Sequence, residues 1–298
     1  MCSMISEYGS GIGWTMYPPL STSLMTLTSI GIDLIVYSLL MSGISTTLTS
    51  INFIVTVHIW KSCIIPLSSL DIYVWSLVLI GYMLVIVLPI LSGSLSLMLS
   101  DLHYNTVFFD ALYGGDPIFY QHMFWFFGHP EVHILIVPGF GVVSNMLSEH
   151  VCCQVFGSQS MILAMCCISY LGSLVWSHHM FTVGMELDSR AYFLTCTMLI
   201  SLPTGSKIFN WLCTYLGTYV VLVNNVSIMY IKMFLIMFTL GGSSGLMLGN
   251  NVIDISLHDS YYVVAHFHIV LSLGTIFGML IGVSYYVECL WWWMCSGY

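Results

Sequence analysis

Charge is what this chain has least of. Asp, Glu, Lys and Arg make up 6% of its 298 residues, and only four side chains are basic: Lys61, Arg190, Lys207 and Lys232. A soluble domain carries roughly 25% charged residues. With 58% hydrophobic residues and a mean hydropathy of +0.94, a soluble fold would leave its surface far too apolar. Four cations exclude the basic footprint of a nucleic-acid binder, and they are too few to orient a membrane protein by the distribution of positive charge. The formal charge of −9 therefore says little about partners. The segment Met1 to Gly13 lacks both a basic leader and an apolar run, so no cleavable signal peptide is expected. Internal repeats and low-complexity tracts are also missing. Ten cysteines are present, but Cys152, Cys153, Cys166, Cys167, Cys196 and Cys213 lie in apolar runs without metal-ligand spacing. They read as small buried hydrophobes rather than a disulfide framework.

What the chain has in quantity is long apolar sequence. A helix crosses a bilayer in about 20 mostly apolar residues, and seven stretches qualify: 30–59, 72–99, 117–147, 158–176, 190–215, 223–248 and 261–290. The segments between them, such as Asp101 to Pro117 and Gly249 to Ser260, are polar and rich in turn formers. The expectation is an all-α, polytopic transmembrane helical bundle forming one domain over residues 1–298. Pro130 and Pro138 in the third span and Pro203 in the fifth predict interrupted helix near His129, Glu131 and Lys207.

Ionisable groups inside a membrane are costly, and their presence points first to metal ligation or proton movement. His129 and Glu131, His178 and His179, His258 and Asp259, and His266 and His268 all lie in or beside the apolar spans. Residues two apart on an α-helix diverge by about 200°, so His266 and His268 would serve two separate groups on opposite faces. His178 and His179 diverge by about 100° on a regular helix and need a local irregularity to share a ligand. The end of the short fourth span can provide one. Three imidazoles, with His129 added from another span, suit copper. His258-Asp259 reads either as a solvated turn or as part of a divalent-cation site. Lys207 reads either as a lysine snorkelling from a helix end or as a proton carrier.

Three ordered motifs carry a specific resemblance. They are Trp125-Phe126-Phe127-Gly128-His129-Pro130-Glu131-Val132, Val175-Trp176-Ser177-His178-His179-Met180-Phe181-Thr182-Val183-Gly184-Met185, and Leu257-His258-Asp259 running on through Ser260-Tyr261-Tyr262-Val263-Val264-Ala265 to His266-Phe267-His268. With Gly13-Trp14-Thr15-Met16-Tyr17-Pro18-Pro19-Leu20 and Pro203-Thr204-Gly205-Ser206-Lys207-Ile208-Phe209, the chain resembles subunit I of the haem-copper cytochrome c oxidase family. The resemblance implies reduction of dioxygen to water with electrons from cytochrome c, coupled to proton translocation in the mitochondrial inner membrane. It implies that His129, His178 and His179 bind copper, His266 a high-spin haem and His268 a low-spin haem, both of a type, and that Trp14 holds a haem propionate. His258 and Asp259 would bind magnesium at the boundary with subunit II. Glu131 would relay protons along one pathway, and Lys207, Thr204 and Ser144 along another.

The chain departs from that family in two respects. Where the family has a tyrosine cross-linked to its copper histidine, this chain has His133, whose imidazole is much harder to oxidise. The match also covers only helices four to ten of the usual twelve. That predicts a split subunit whose missing helices, including one with the second axial histidine of the low-spin haem, come from separate chains. A quinol-oxidising relative and a degenerate, structural copy are the competing readings.

Overall fold

The computed structural model describes residues 1–6, 9–23, 30–61, 66, 69–217 and 225–296, with the side chains of 291–296 left aside. Those residues form helices α1 (Cys2–Ile5), α2 (Gly31–Trp60), α3 (Ile72–His103), α4 (Pro117–Val151), α5 (Ser158–Gly172), α6 (Leu187–Leu199), α7 (Ser201–Leu216), α8 (Val226–Leu248), α9 (Asn251–Leu257), α10 (Tyr261–Phe267) and α11 (Gly274–Ser296). Five helices are long and apolar enough to cross a membrane, namely α2, α3, α4, α8 and the run Tyr261–Leu290, and α5 is a shorter apolar helix. No strand occurs among the described residues. The all-α polytopic bundle expected from composition is what forms.

Polar caps start these helices at the ends of the apolar runs. The Asp116 carboxylate accepts from the Ile118 N–H at 2.8 Å, with Pro117 in the first helical position, where its missing N–H costs nothing. Asn225 caps α8 through the Ser227 N–H at 2.7 Å, and Ser260 caps α10 through the Tyr262 N–H at 3.3 Å.

The prolines act differently from the sequence expectation. α4 runs unbroken from Pro117 to Val151 through Pro130 and Pro138, because a buried helix tolerates a lost backbone hydrogen bond where its neighbours hold it. The fifth stretch does break. α6 ends at Leu199, Ile200 intervenes, and α7 begins at Ser201 with Pro203 in its first turn, where a ring without an N–H is accommodated. The fourth span closes at Gly172, and a 3₁₀ turn, Trp176–Met180, follows it. The last span contains a π-helical turn, His268–Leu273, between α10 and α11.

α3 packs between α2 and α4, and α4 lies at the centre against α5, α7 and α11, while α11 also packs on α8. Phe140, Val143, Leu147, Met161, Met165, Trp211, Ile231 and Phe234 from four of these helices fill the main core. A second core joins Ile12 and Met16 to Leu95, Tyr120, Phe124, Trp125 and Met180. This core holds the N-terminal segment beside the 3₁₀ turn that bears His178 and His179.

Candidate metal and proton sites

His129 is carried by α4, and His178 and His179 by the 3₁₀ turn packed against it. The turn supplies the irregularity that adjacent histidines need. One nitrogen from each ring falls within 4.8 Å of the other two. His129 Nδ1 lies 3.1 Å from His179 Nε2, and His178 Nε2 lies 3.1 Å from the same atom.

Hydrogen bonding fixes which nitrogen of His178 is free. Thr197 Oγ1 gives its proton to the Phe193 carbonyl at 2.6 Å and sits 3.0 Å from His178 Nδ1. A hydroxyl whose proton is committed can only accept, so the His178 proton is on Nδ1 and the Nε2 lone pair faces its neighbours. Trp125 stacks on His179 at 3.9 Å with 16° between the planes. Nitrogen lone pairs crowded this closely need a proton or a cation between them. Two nitrogens 3.1 Å apart subtend about 100° at a metal bonded at ~2.05 Å, a fit to ordinary imidazole coordination.

His266 and His268 follow the same rule. His266 Nδ1 donates to the Gly241 carbonyl at 3.0 Å, beside Ser244 Oγ at 2.9 Å, and His268 Nδ1 donates to the Val264 carbonyl at 2.8 Å. Each ring therefore carries its lone pair on Nε2, the nitrogen able to hold a metal. A Cβ at residue 245 would stand 2.8 Å from His266 Cε1, so Gly245 is what lets the ring lie against α8. His268 is exposed, and the Phe267 ring lies 4.5 Å from it. Trp14, expected beside a haem propionate, is 67% exposed and rests edge-on against Phe124 and Trp125.

Lys207 is fully buried near the middle of α7, which excludes a snorkelling side chain. Its Nζ has no hydrogen-bond partner among the described residues and sits 5.2 Å from the Phe140 ring and 5.1 Å from that of Trp211. Trp211 Nε1 donates to Ser144 Oγ at 2.9 Å, and Thr204 Oγ1 donates to the Ile200 carbonyl at 2.9 Å. Glu131 is half-buried on α4. The Asp33 carboxylate on α2 lies 2.8 Å from His103 Nε2 at the end of α3.

His258 and Asp259 lie in the turn between α9 and α10, with Asp259 Oδ2 3.5 Å from His258 Nε2 and its side chain 92% exposed. Asp254 was missed by the sequence reading. It is buried, its Oδ2 has no hydrogen-bond partner among the described residues, and it lies 3.8 Å from His258 Nδ1. The i,i+4 spacing from His258 was the available signal. Burial raises the Asp254 carboxyl above the ordinary aspartate value; His258 opposes this and Asp259 adds to it. Burial likewise raises the Tyr17 hydroxyl, against a lowering hydrogen bond from Trp125 Nε1 and with a smaller push from Asp259.

The family model described as "Cytochrome C and Quinol oxidase polypeptide I" matches residues 1–297. The chain belongs to that family. It is 52% identical over 282 residues to cytochrome c oxidase subunit 1 of Plasmodium falciparum, a match covering 95% of this chain and 59% of the relative. Identity to the subunit 1 of Eremothecium gossypii is 46% over 286 residues, covering 96% of this chain and 53% of the relative. The chain thus spans a little over half the length of these curated relatives. A cryo-EM structure of a heme-copper terminal oxidase dimer superposes with a TM-score of 0.63 at 19% identity, covering 73% of this chain and 40% of the other. That likeness concerns the fold.

Proposed function

We propose that this member of the family forms the dioxygen-reducing core of a terminal respiratory oxidase in the mitochondrial inner membrane, taking electrons from cytochrome c and translocating protons. The observation that carries the reading is the convergence of His129, His178 and His179 in a family whose curated members are named cytochrome c oxidase subunit 1. Copper and two haems of a type, when bound, supply the electron transfer to dioxygen. His129 Nδ1, His178 Nε2 and His179 Nε2 would hold the copper, and His266 and His268 would hold the high-spin and the low-spin haem. Thr197 and Trp125 orient the copper donors. Trp14, on the rim, meets a haem propionate.

Proton supply falls to the buried titratable groups. Lys207, with an unpartnered Nζ between Phe140 and Trp211, holds a proton on a route shared with Ser144 and Thr204, and Glu131 holds one on a second route. His258 and Asp259 bind magnesium together with ligands from subunit II. Because Asp259 is almost wholly exposed, the ion needs those further ligands. A low-spin haem held by His268 would take its other protein ligand from outside the described residues, on a further membrane helix of the assembled enzyme.

Electron donation from a quinol is the second reading, since the matching family model covers both classes; the named relatives favour cytochrome c. Purifying the complex that contains this chain tests both. Optical spectra should show two haem environments, metal analysis should find copper, and reduced cytochrome c should drive oxygen uptake. A complex with neither haem nor copper would sink the proposal, and oxygen uptake with quinol alone would select the second reading.

A further inference from the structure

The nitrogen of His129 that faces away from the triad is also engaged. His129 Nε2 lies 3.0 Å from Nε2 of His133, one helical turn further along α4. Two imidazole nitrogens at that distance share one proton, so one donates and the other accepts. His129 Nδ1 faces His179 Nε2 at 3.1 Å and must present a lone pair to act as a metal donor. A neutral His129 ring then carries its proton on Nε2 and gives it to His133, whose own proton lies on Nδ1.

The fold makes room for this pair. Gly172, the last residue of α5, lies against His133, and a Cβ there would come within 2.6 Å of Cδ2 and 2.9 Å of Nε2 of that ring. Any larger residue at 172 would force the His133 ring off its partner. The i,i+4 spacing on one helix face and the glycine on a second helix both hold the same acceptor against the same nitrogen.

We propose that His133 is a positioning residue for the metal centre: as the fixed acceptor for His129 Nε2–H, it locks the His129 ring and selects Nδ1 as the metal donor. A ligand histidine whose second nitrogen is held by an outer partner keeps its tautomer and its orientation, and loss of such a partner typically costs about 10- to 100-fold in metal affinity. Without an acceptor, the buried His129 N–H is left unpaired, and the ring gains freedom to turn Nδ1 away from His178 and His179.

The inference rests on the copper reading of the triad, and the test separates the two. In the intact purified complex, copper retention against a graded chelator is measured for the parent, His133→Leu and His133→Gln. Leucine removes the acceptor, whereas the glutamine carbonyl can replace it. The expected result is about 10- to 100-fold weaker copper retention in His133→Leu, unchanged haem content, and substantial recovery in His133→Gln. Parent-like retention in His133→Leu overturns the proposal, as does a glutamine variant as weak as the leucine variant. If His133→Leu fails to assemble, a high-resolution structure of the parent complex decides. Metal on His129 Nδ1 with the His133 contact kept supports the inference; metal on Nε2, or a ring parted from His133, overturns it. A parent complex without metal at the triad defeats the underlying function reading instead.

Discussion

Thr197 decides which nitrogen of His178 faces His129 and His179. Its hydroxyl proton is given to Phe193, so the oxygen can only accept from His178 Nδ1, 3.0 Å away. Thr197→Val keeps the volume and removes the acceptor. Copper retention should fall by about 10- to 100-fold while haem content stays constant. Equal retention in the valine variant would show that this contact does not orient the ring.

Lys207 is buried with no hydrogen-bond partner for its Nζ among the described residues, a placement that favours nothing in the fold itself. Lys207→Met should therefore leave the complex as thermally stable as the parent or more so. If Lys207 carries protons, turnover should drop by about 100-fold or more, the scale of a lost proton-transfer group. A less stable variant with unchanged turnover would assign Lys207 to structure instead.

Asp254 predicts a pH dependence. Its folded pKa is raised, chiefly by burial, so the folded state binds this proton more tightly than the unfolded chain does. The resulting stability is fully present below the ordinary aspartate value and is lost as the pH rises through the raised one. Asp254→Asn should be more stable than the parent at neutral pH, with the difference shrinking as the pH falls through the carboxylate range. Melting temperatures of the assembled complex at several pH values check this; a constant difference would refute it.

With an imidazole at position 133, an oxidisable ring against the triad among the described residues is Trp125, stacked on His179 at 3.9 Å, and its Nε1 donates to the Tyr17 hydroxyl. Rapid-freeze EPR of the complex carrying only two reducing electrons, so that the low-spin haem cannot supply the fourth, should show an aromatic side-chain radical in the parent after mixing with dioxygen. Trp125→Phe should abolish or displace it. An unaltered signal in that variant would remove Trp125 from the electron path.

The apolar runs and histidine spacings were legible because membrane burial and helical periodicity leave direct marks on sequence. His178 and His179 could be placed at an irregularity because adjacent positions on a regular helix cannot converge. The orienting groups left no such mark. Thr197 is 19 residues from His178, and Ser244 is 22 from His266, so only the packing of helices brings each pair together. Gly172 is ordinary until His133 is seen beside it. Asp254 was within reach of a spacing argument, four residues before His258, but its burial against that ring depends on how α9 packs. The break at Ile200 and the continuity of α4 show that a proline's effect depends on its place in the turn and on its neighbours, which local sequence does not record.

The π turn at His268–Leu273 acts as a phase adjuster. A turn closed five residues back rather than four adds one residue to the spiral, rotating everything beyond it by about 100° relative to a continuous α-helix. α10 can thus aim His266 at one group and His268 at another, while α11 independently presents Ser284 to Ser227 at 2.8 Å and Glu288 to Asn225 at 3.0 Å. Regularising the turn to α-helix with the residue count unchanged would swing α11 through that angle. The two histidines could then keep their aim only if α11 gave up its seat on α8. Ligand geometry and helix docking would become competing demands on a single rigid rod.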